Sequence, residues 1–245
     1  MINPLMPWVF FAVFVLAMLW LDFRLFSGRE KEVSIKEALL WSLFWMILAL
    51  GFNVGVYFFS SHERALNFLT GYLIERALSM DNIFVFLLIF NFFRVPAVYQ
   101  QVVLFWGILL ALVLRCIFIA LGVVIINAFH WSIYILGLFL VFVGIKMIFA
   151  GNKQEDLSTN PILRVIRKFF PVSDEYHGKK FFALKDGCRV ATPLFVVFLM
   201  IAAMDIVFAV DSIPAILAIT TDPFVVYTSN IFAIFGLRAL FSAIS

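Results

Sequence analysis

Charge is the scarcest thing in this sequence. Only 13% of its 245 residues are charged, about half the share in an average soluble domain, where roughly 25% are. Apolar residues make up 64%, and mean hydropathy is +1.08. A globule of this length has no interior large enough to hide that much Phe, Leu, Val and Ile. Lipid has to cover the excess, so the composition describes a membrane protein and excludes a soluble one. Cysteine is equally scarce. Cys116 and Cys188 are far apart and show no CxxC spacing, which argues against a disulfide framework or a thiolate zinc site. The net charge of +3 is too small to point to nucleic acid.

What is present is a series of long apolar runs, roughly 4–22, 38–60, 66–92, 98–127, 130–150, 192–220 and 224–244. Each is close to the ~20 residues that a helix needs to cross a bilayer. None alternates as a barrel strand would. The expected fold is therefore all-α, a polytopic transmembrane bundle of about seven spans. The first run, Pro4 to Leu21, has neither a basic start nor a small-residue cleavage site before Asp22, and reads as an uncleaved span.

Basic residues between the runs set the orientation. Counting from an external N-terminus, the loops on the cytoplasmic side carry Arg24, Arg29, Lys31, Lys36 and Arg94. The long 151–191 loop adds Lys153, Arg164, Arg167, Lys168, Lys179, Lys180, Lys185 and Arg189, whereas the external loops carry only Arg64. In that long loop Ile162, Val165, Ile166, Phe169 and Phe170 recur at helical spacing opposite Arg164, Arg167 and Lys168. The pattern predicts a short amphipathic helix, either on the anionic leaflet or against the end of the bundle. Phe181 to Val190, with Lys185-Asp186-Gly187 in the middle, predicts a small hairpin.

The chain repeats itself at an offset of 130 residues. Ala77-Leu78-Ser79-Met80-Asp81-Asn82-Ile83 aligns with Val207-Phe208-Ala209-Val210-Asp211-Ser212-Ile213, and Glu75 falls on Asp205. The next span of each half carries one arginine, Arg115 or Arg238. The motifs lie in the third and sixth runs, so the motif helices run in opposite directions, as in inverted-repeat transporters. The organisation expected is two N-terminal helices (1–60), a first three-helix repeat (61–150), the cytoplasmic loop (151–191) and a second repeat (192–245) that is truncated.

A carboxylate at a helix centre costs about 2.5–3.5 kcal/mol on insertion scales, and such residues face a cavity or a partner. Glu75, Asp81, Asp205 and Asp211 all lie well inside their spans. Asp, Glu, Asn and Ser offer oxygen, which suits Mg²⁺, Ca²⁺ and Mn²⁺. His62, His130 and His177 sit at or beyond span ends, which disfavours a soft-metal site. The expected centre is Asp81 meeting Asp211 across the pseudo-two-fold, flanked by Asn82 and Ser212. Glu75 and Asp205 would then act as relay acids on opposite sides. Pro214 frees the carbonyl of Val210 as a further ligand.

The competing reading is purely structural. The spans also hold Arg76, Arg115, Lys146 and Arg238, so the acids would pair as Asp81–Arg115 and Asp211–Arg238. It leaves unexplained why the pattern occurs twice and why Asn82 and Ser212 follow the second acid. On the transport reading Arg115 and Arg238 balance the empty site, and Lys146 snorkels to its span end. Gly51 and Gly55 form a small-xxx-small pair suited to a close helix contact, with Asn53 between them as an interhelical hydrogen-bonding group.

The sequence resembles the TerC family of tellurium-resistance-associated membrane proteins, which includes Alx-type manganese exporters. The resemblance rests on Leu69 to Glu75, Asp81-Asn82-Ile83-Phe84-Val85, Gly144-Ile145-Lys146-Met147, Ala191-Thr192-Pro193-Leu194, Asp205 to Ala215, Thr221-Asp222-Pro223-Phe224 and Ser229 to Arg238. It implies Mn²⁺ efflux in a bacterial inner membrane, with Glu75, Asp81, Asn82, Asp205 and Asp211 handling the ion. Spacing and residue type alone imply only a hard divalent cation. The expectation is a secondary transporter without a cofactor or enzymatic activity, set in the lipid bilayer, with proton antiport as the expected coupling. Two alternatives differ in class. One is a membrane scaffold that delivers metal to extracytoplasmic enzymes or contributes to metal and tellurite resistance. The other, an intramembrane aspartyl enzyme, finds no Gly-Asp pair or His-rich motif to support it.

Overall fold

A computed structural model describes residues 5–26, 35–129, 131–150, 161–173, 175–185, 188–237 and 240–241. Helices dominate: α1 (Met6–Phe26), α2 (Ile35–Phe59), α3 (His62–Phe92), α4 (Ala97–Ala128), α5 (Ser132–Ala150), α6 (Pro161–Phe169), α7 (Pro193–Leu217) and α8 (Pro223–Ile234). Among the described residues the departures from all-α are a two-stranded antiparallel hairpin, β1 (Phe182–Lys185) and β2 (Cys188–Ala191), and a single bridge from Val172 to Ala191. Helices α2, α4 and α7 are long and apolar enough to cross a membrane, and α1, α5 and α8 hold shorter apolar stretches. Helix α3 is also long, but it carries Glu63, Arg64, Glu75, Arg76 and Asp81.

The centre of the molecule is a bundle of α3, α4, α7 and α8, with α7 against α3 and α4, and α8 against α3. Small residues allow close approach. A Cβ on Gly71 would lie 2.9 Å from Ser229 Oγ on α8, and one on Gly107 3.0 Å from Ile201 Cγ2 on α7. Gly51 and Gly55, expected at such a contact, have nothing within 4 Å. Their helix instead meets the bundle through Trp45 and Ala49, both fully buried, with the Trp45 ring stacked on Phe235 at 4.9 Å. The Oδ1 of Asn53 finds no partner. The outward faces of α1, α2 and α4 are lined with exposed residues such as Phe10, Leu40 and Ile117, which suits contact with lipid chains.

Two local features shape the second half. Helix α8 starts cleanly: Asp222 accepts from the backbone N–H of Phe224 and Val225, and Pro223 occupies the first turn. It also ends early. The apolar run 224–244 predicts one span, but the helix breaks after Ile234, and Gly236 adopts φ +88°. Only glycine tolerates that conformation cheaply. In contrast, α7 continues through Pro214 to Leu217.

Helix α6 packs on α7. Leu163 and Ile166 enter the core, whereas Val165 and Phe169 stay exposed. Of the two arrangements expected for α6, the structure takes the one against the bundle. The anchor is Leu163, one position off the stripe read from the sequence.

Candidate ion site

Arg115 on α4 is 1% exposed in the middle of this bundle. Its guanidinium donates from Nε and Nη2 to both carboxylate oxygens of Asp205 on α7, at 3.1 and 2.9 Å. This planar, two-pronged match is the strongest form of such a pair. Nη1 donates to Glu75 Oε1 on α3 and, at 3.4 Å, to Asn230 Oδ1 on α8. Ser79, one turn beyond Glu75, donates its hydroxyl to the same Oε1 at 3.4 Å. Four helices thus converge on one cation. Glu75 and Asn230 are 0% exposed and Asp205 5%.

The arithmetic of the cluster leaves a remainder. Two carboxylates, Glu75 and Asp205, face one guanidinium, so the ionised cluster carries one excess negative charge. Within it, Glu75 Oε2 and Asn230 Nδ2 are buried without a protein partner, as are Asn82 Oδ1 and Ser212 Oγ further along α3 and α7. An unpaired polar group in such a setting costs on the order of 1–3 kcal/mol, so these atoms are where a water or an ion gains most by binding. Among the described residues, no three His, Cys, Asp or Glu side chains gather as a ready-made metal cage. Any hard-ion shell here has to combine carboxylates with amide and hydroxyl oxygens.

Helix geometry explains which motif residues are buried. Seven residues advance a helix by ~10.5 Å and turn it through about 700°, nearly two full turns. Glu75 and Asn82 therefore share the buried face of α3, and Asp205 and Ser212 share that of α7. Asp81 and Asp211 precede the buried polar residue by one position and are turned away. Asp81 is exposed and Asp211 half-buried.

This changes the arrangement expected from the sequence. Glu75 and Asp205 do not flank the centre from opposite sides. They meet on one guanidinium. Nor does Arg115 pair with Asp81, as the structural reading had it. The physical reason is the position of Arg115, which lies between the facing stripes of α3 and α7 and draws in the acid nearest each. Arg238 and the side chain of Lys146 lie outside the described residues, as do the hairpin residues 186–187.

Sequence reasoning missed two participants. Asn230 is one, and its signal was available: an amide within an apolar helix is as costly as the acids that drew attention. Arg76 is the other. Its Nη1 donates to the carbonyls of Ala233 and Phe235, both at 3.2 Å, and its Nη2 to Ser42 Oγ at 2.9 Å. It therefore caps the carbonyls exposed where α8 breaks, about one turn beyond Asn230.

The family model described as "Integral membrane protein TerC family" matches residues 60–245. An uncharacterized membrane protein of Myxococcus xanthus is 50% identical over 96% of this chain and 73% of its own length. The Escherichia coli K12 protein named "Putative membrane-bound redox modulator Alx" is 44% identical over 98% of this chain and 77% of its own. An uncharacterized membrane protein of Rickettsia conorii is 42% identical, over 96% and 78%. No solved structure matches the chain.

Proposed function

The chain belongs to the TerC family of integral membrane proteins, and on that premise we propose that it is a secondary transporter exporting a divalent cation, Mn²⁺ first among them. One observation carries the reading: two buried carboxylates share a single buried arginine, and Glu75 Oε2 is left unpaired. A hard cation needs such oxygens, and excess negative charge in a dry interior favours a cation or a proton. In the empty state Arg115 occupies the carboxylates. When a metal ion enters, Glu75 and Asp205 pass to the metal, Asn230 supplies a neutral oxygen, and Arg115 withdraws; Asn82 and Ser212, about 10.5 Å further along α3 and α7, are polar stations on the way to and from that shell. Return of the guanidinium, or protonation of the acids, releases the ion. Proton antiport follows naturally, because metal binding requires deprotonated ligands.

The broken helix α8 fits the same picture. Transporter sites lie where discontinuous helices meet, and the break after Ile234 is about one turn from Asn230. The topology proposed is seven spans with an inverted repeat centred on α3 and α7. The N-terminus is outside and the 151–191 loop is cytoplasmic, in a bacterial inner membrane. Ca²⁺ and Mg²⁺ satisfy the same oxygen chemistry, and manganese comes from the resemblance alone.

The test is cellular Mn²⁺ content under Mn²⁺ load, with and without the protein. Glu75→Gln and Asp205→Asn should each abolish export while the protein still inserts. Asp81→Asn and Asp211→Asn test whether the outer acids of each motif also take part. Normal efflux from both buried-acid variants would sink the proposal.

A second reading, a scaffold that hands metal to extracytoplasmic enzymes, draws on the folded 161–191 segment. Deleting that segment would remove Leu163 and Ile166 from the core and so damage the bundle. Substituting the exposed Arg164, Lys168 and Phe169 separates the readings cleanly: transport survives, and a docking function fails.

A further inference from the structure

Beside the hairpin lies a cavity of ≈ 500 Å³ lined by His177, Lys180, Phe182, Ala183, Leu184 and Arg189. We propose that it holds the phosphate headgroup of an anionic phospholipid, drawn from the leaflet that α7 enters.

The lining chemistry is the first ground. Three of the six side chains carry nitrogen donors and none is acidic. Arginine and lysine side by side suit a phosphate, the one as a planar fork and the other as a point charge.

The site is also held in place. Gly178, at φ +62°, allows the tight turn in which Lys180 N–H donates to the His177 carbonyl at 3.4 Å. Thr192 Oγ1 donates to the carbonyls of Lys180 and Phe181, at 2.8 and 3.1 Å. Thr192 N–H adds a bond to Phe181 at 3.0 Å. The His177 ring lies 3.4 Å from Ser173 Oγ. The Phe182 ring lies 4.6 Å from that of Phe195 in the first turn of α7. The basic residues are thereby fixed to the mouth of a membrane-length helix.

Depth points to lipid rather than a soluble phosphate. Phe182 pairs with Ala191, two residues before α7 begins at Pro193. Leu184 pairs with Arg189 only two residues further out, about 7 Å along the strands. The cavity is therefore at headgroup level if α7 spans the bilayer. Its rim is apolar where water would be expected, with Leu184 74% and Phe182 46% exposed. A free phosphate gains nothing from that rim, whereas the acyl chains of a lipid cover it.

The experiment uses the full chain in detergent, with retained lipid read by native mass spectrometry. The probes are phosphatidylglycerol, phosphatidylcholine and inorganic phosphate. The wild type should retain one phosphatidylglycerol in preference to phosphatidylcholine by on the order of tenfold, given what two basic residues contribute at an anionic surface. Lys180→Gln/Arg189→Gln should lose that preference, and Arg164→Gln/Lys168→Gln on α6 should keep it. Leu184→Ser, which leaves the bases in place, should weaken retention of the lipid but not of phosphate. Equal retention of both lipids, or an unchanged preference in the Lys180/Arg189 variant, overturns the proposal. So does binding of inorganic phosphate as tight as that of the lipid.

Discussion

Removing Arg115 tests the central cluster most directly. Arg115→Gln takes away the one cation and leaves Glu75 and Asp205 buried against each other's charge. Breaking a buried pair by removing one partner costs about 3–5 kcal/mol, because a desolvated charge is left uncompensated. For a protein of this size that is a fall in Tm on the order of 10 °C. If the carboxylates are a cation site that arginine fills by default, the loss is recoverable. Mn²⁺ at a hundredfold its Kd adds about 2.7 kcal/mol and restores roughly half or more of the deficit. In the wild type the same ion must first displace the guanidinium, so its shift is smaller. The assay is thermal unfolding of the detergent-solubilised protein across a Mn²⁺ titration near pH 8, where carboxylates are least able to hold protons. Arg115→Gln/Asp205→Asn removes one of the two carboxylates and should lose the rescue. A folded Arg115→Gln protein that Mn²⁺ stabilises no more than the wild type would refute the reasoning, since arginine and metal would then not compete for the same oxygens.

Two further outcomes follow from packing and burial. Gly71→Ala places a methyl 2.9 Å from Ser229 Oγ and 3.3 Å from its Cβ, and should cost about 1–3 kcal/mol by overpacking. Gly51→Ala meets nothing within 4 Å and should be neutral or stabilising by up to ~1 kcal/mol through helix propensity. Thermal unfolding of the pair checks both. Tyr176, outside the spans, donates its hydroxyl to the Phe93 carbonyl at 2.7 Å, and burial raises its pKa above the usual 10.0. The folded state thus holds its proton longer than the unfolded state. The stability it contributes is complete below pH ~10 and is lost as pH rises through the folded value. Tyr176→Phe should flatten the alkaline arm of a stability–pH curve, and an unchanged arm would show that the burial is not felt.

Much of this was legible in the sequence. Apolar run length gave the helices, and the cost of intramembrane charge singled out Glu75, Asp205 and Arg115. The Phe181 to Val190 stretch marked the strands that pair as β1 and β2. What stayed hidden was rotation about each helix axis. Asp81 and Asn82 are adjacent in sequence but ~100° apart around the helix, and the sequence does not say which of the two faces inward. Packing decides it. The Gly51–Gly55 spacing suits a close contact just as well as Gly71 does, yet only Gly71 faces a partner. The break in α8 was equally invisible, because Gly236 inside an apolar run reads as an ordinary helix residue until its φ is known.

The two inward-facing arginines of α3 and α4 divide the work in a way that bears on how a site like this opens. Arg115 binds side-chain acids, which a cation or a proton can replace. Arg76 binds backbone carbonyls of α8 and a hydroxyl of α2, none of which titrates or gains a better partner when an ion arrives. The first contact is exchangeable and the second is fixed. Because Glu75 and Arg76 are neighbours on α3, the end of α8 is tied to the helix that carries one of the acids. Any movement of α3 that accompanies release of Arg115 must therefore carry the broken end of α8 with it. On the α7 side, Asp205 is held to the cluster by the guanidinium alone among its described contacts. On the proposed transport reading, loss of the Arg115–Asp205 fork is the exchange that frees Asp205, while the tie between α3 and α8 through Arg76 persists.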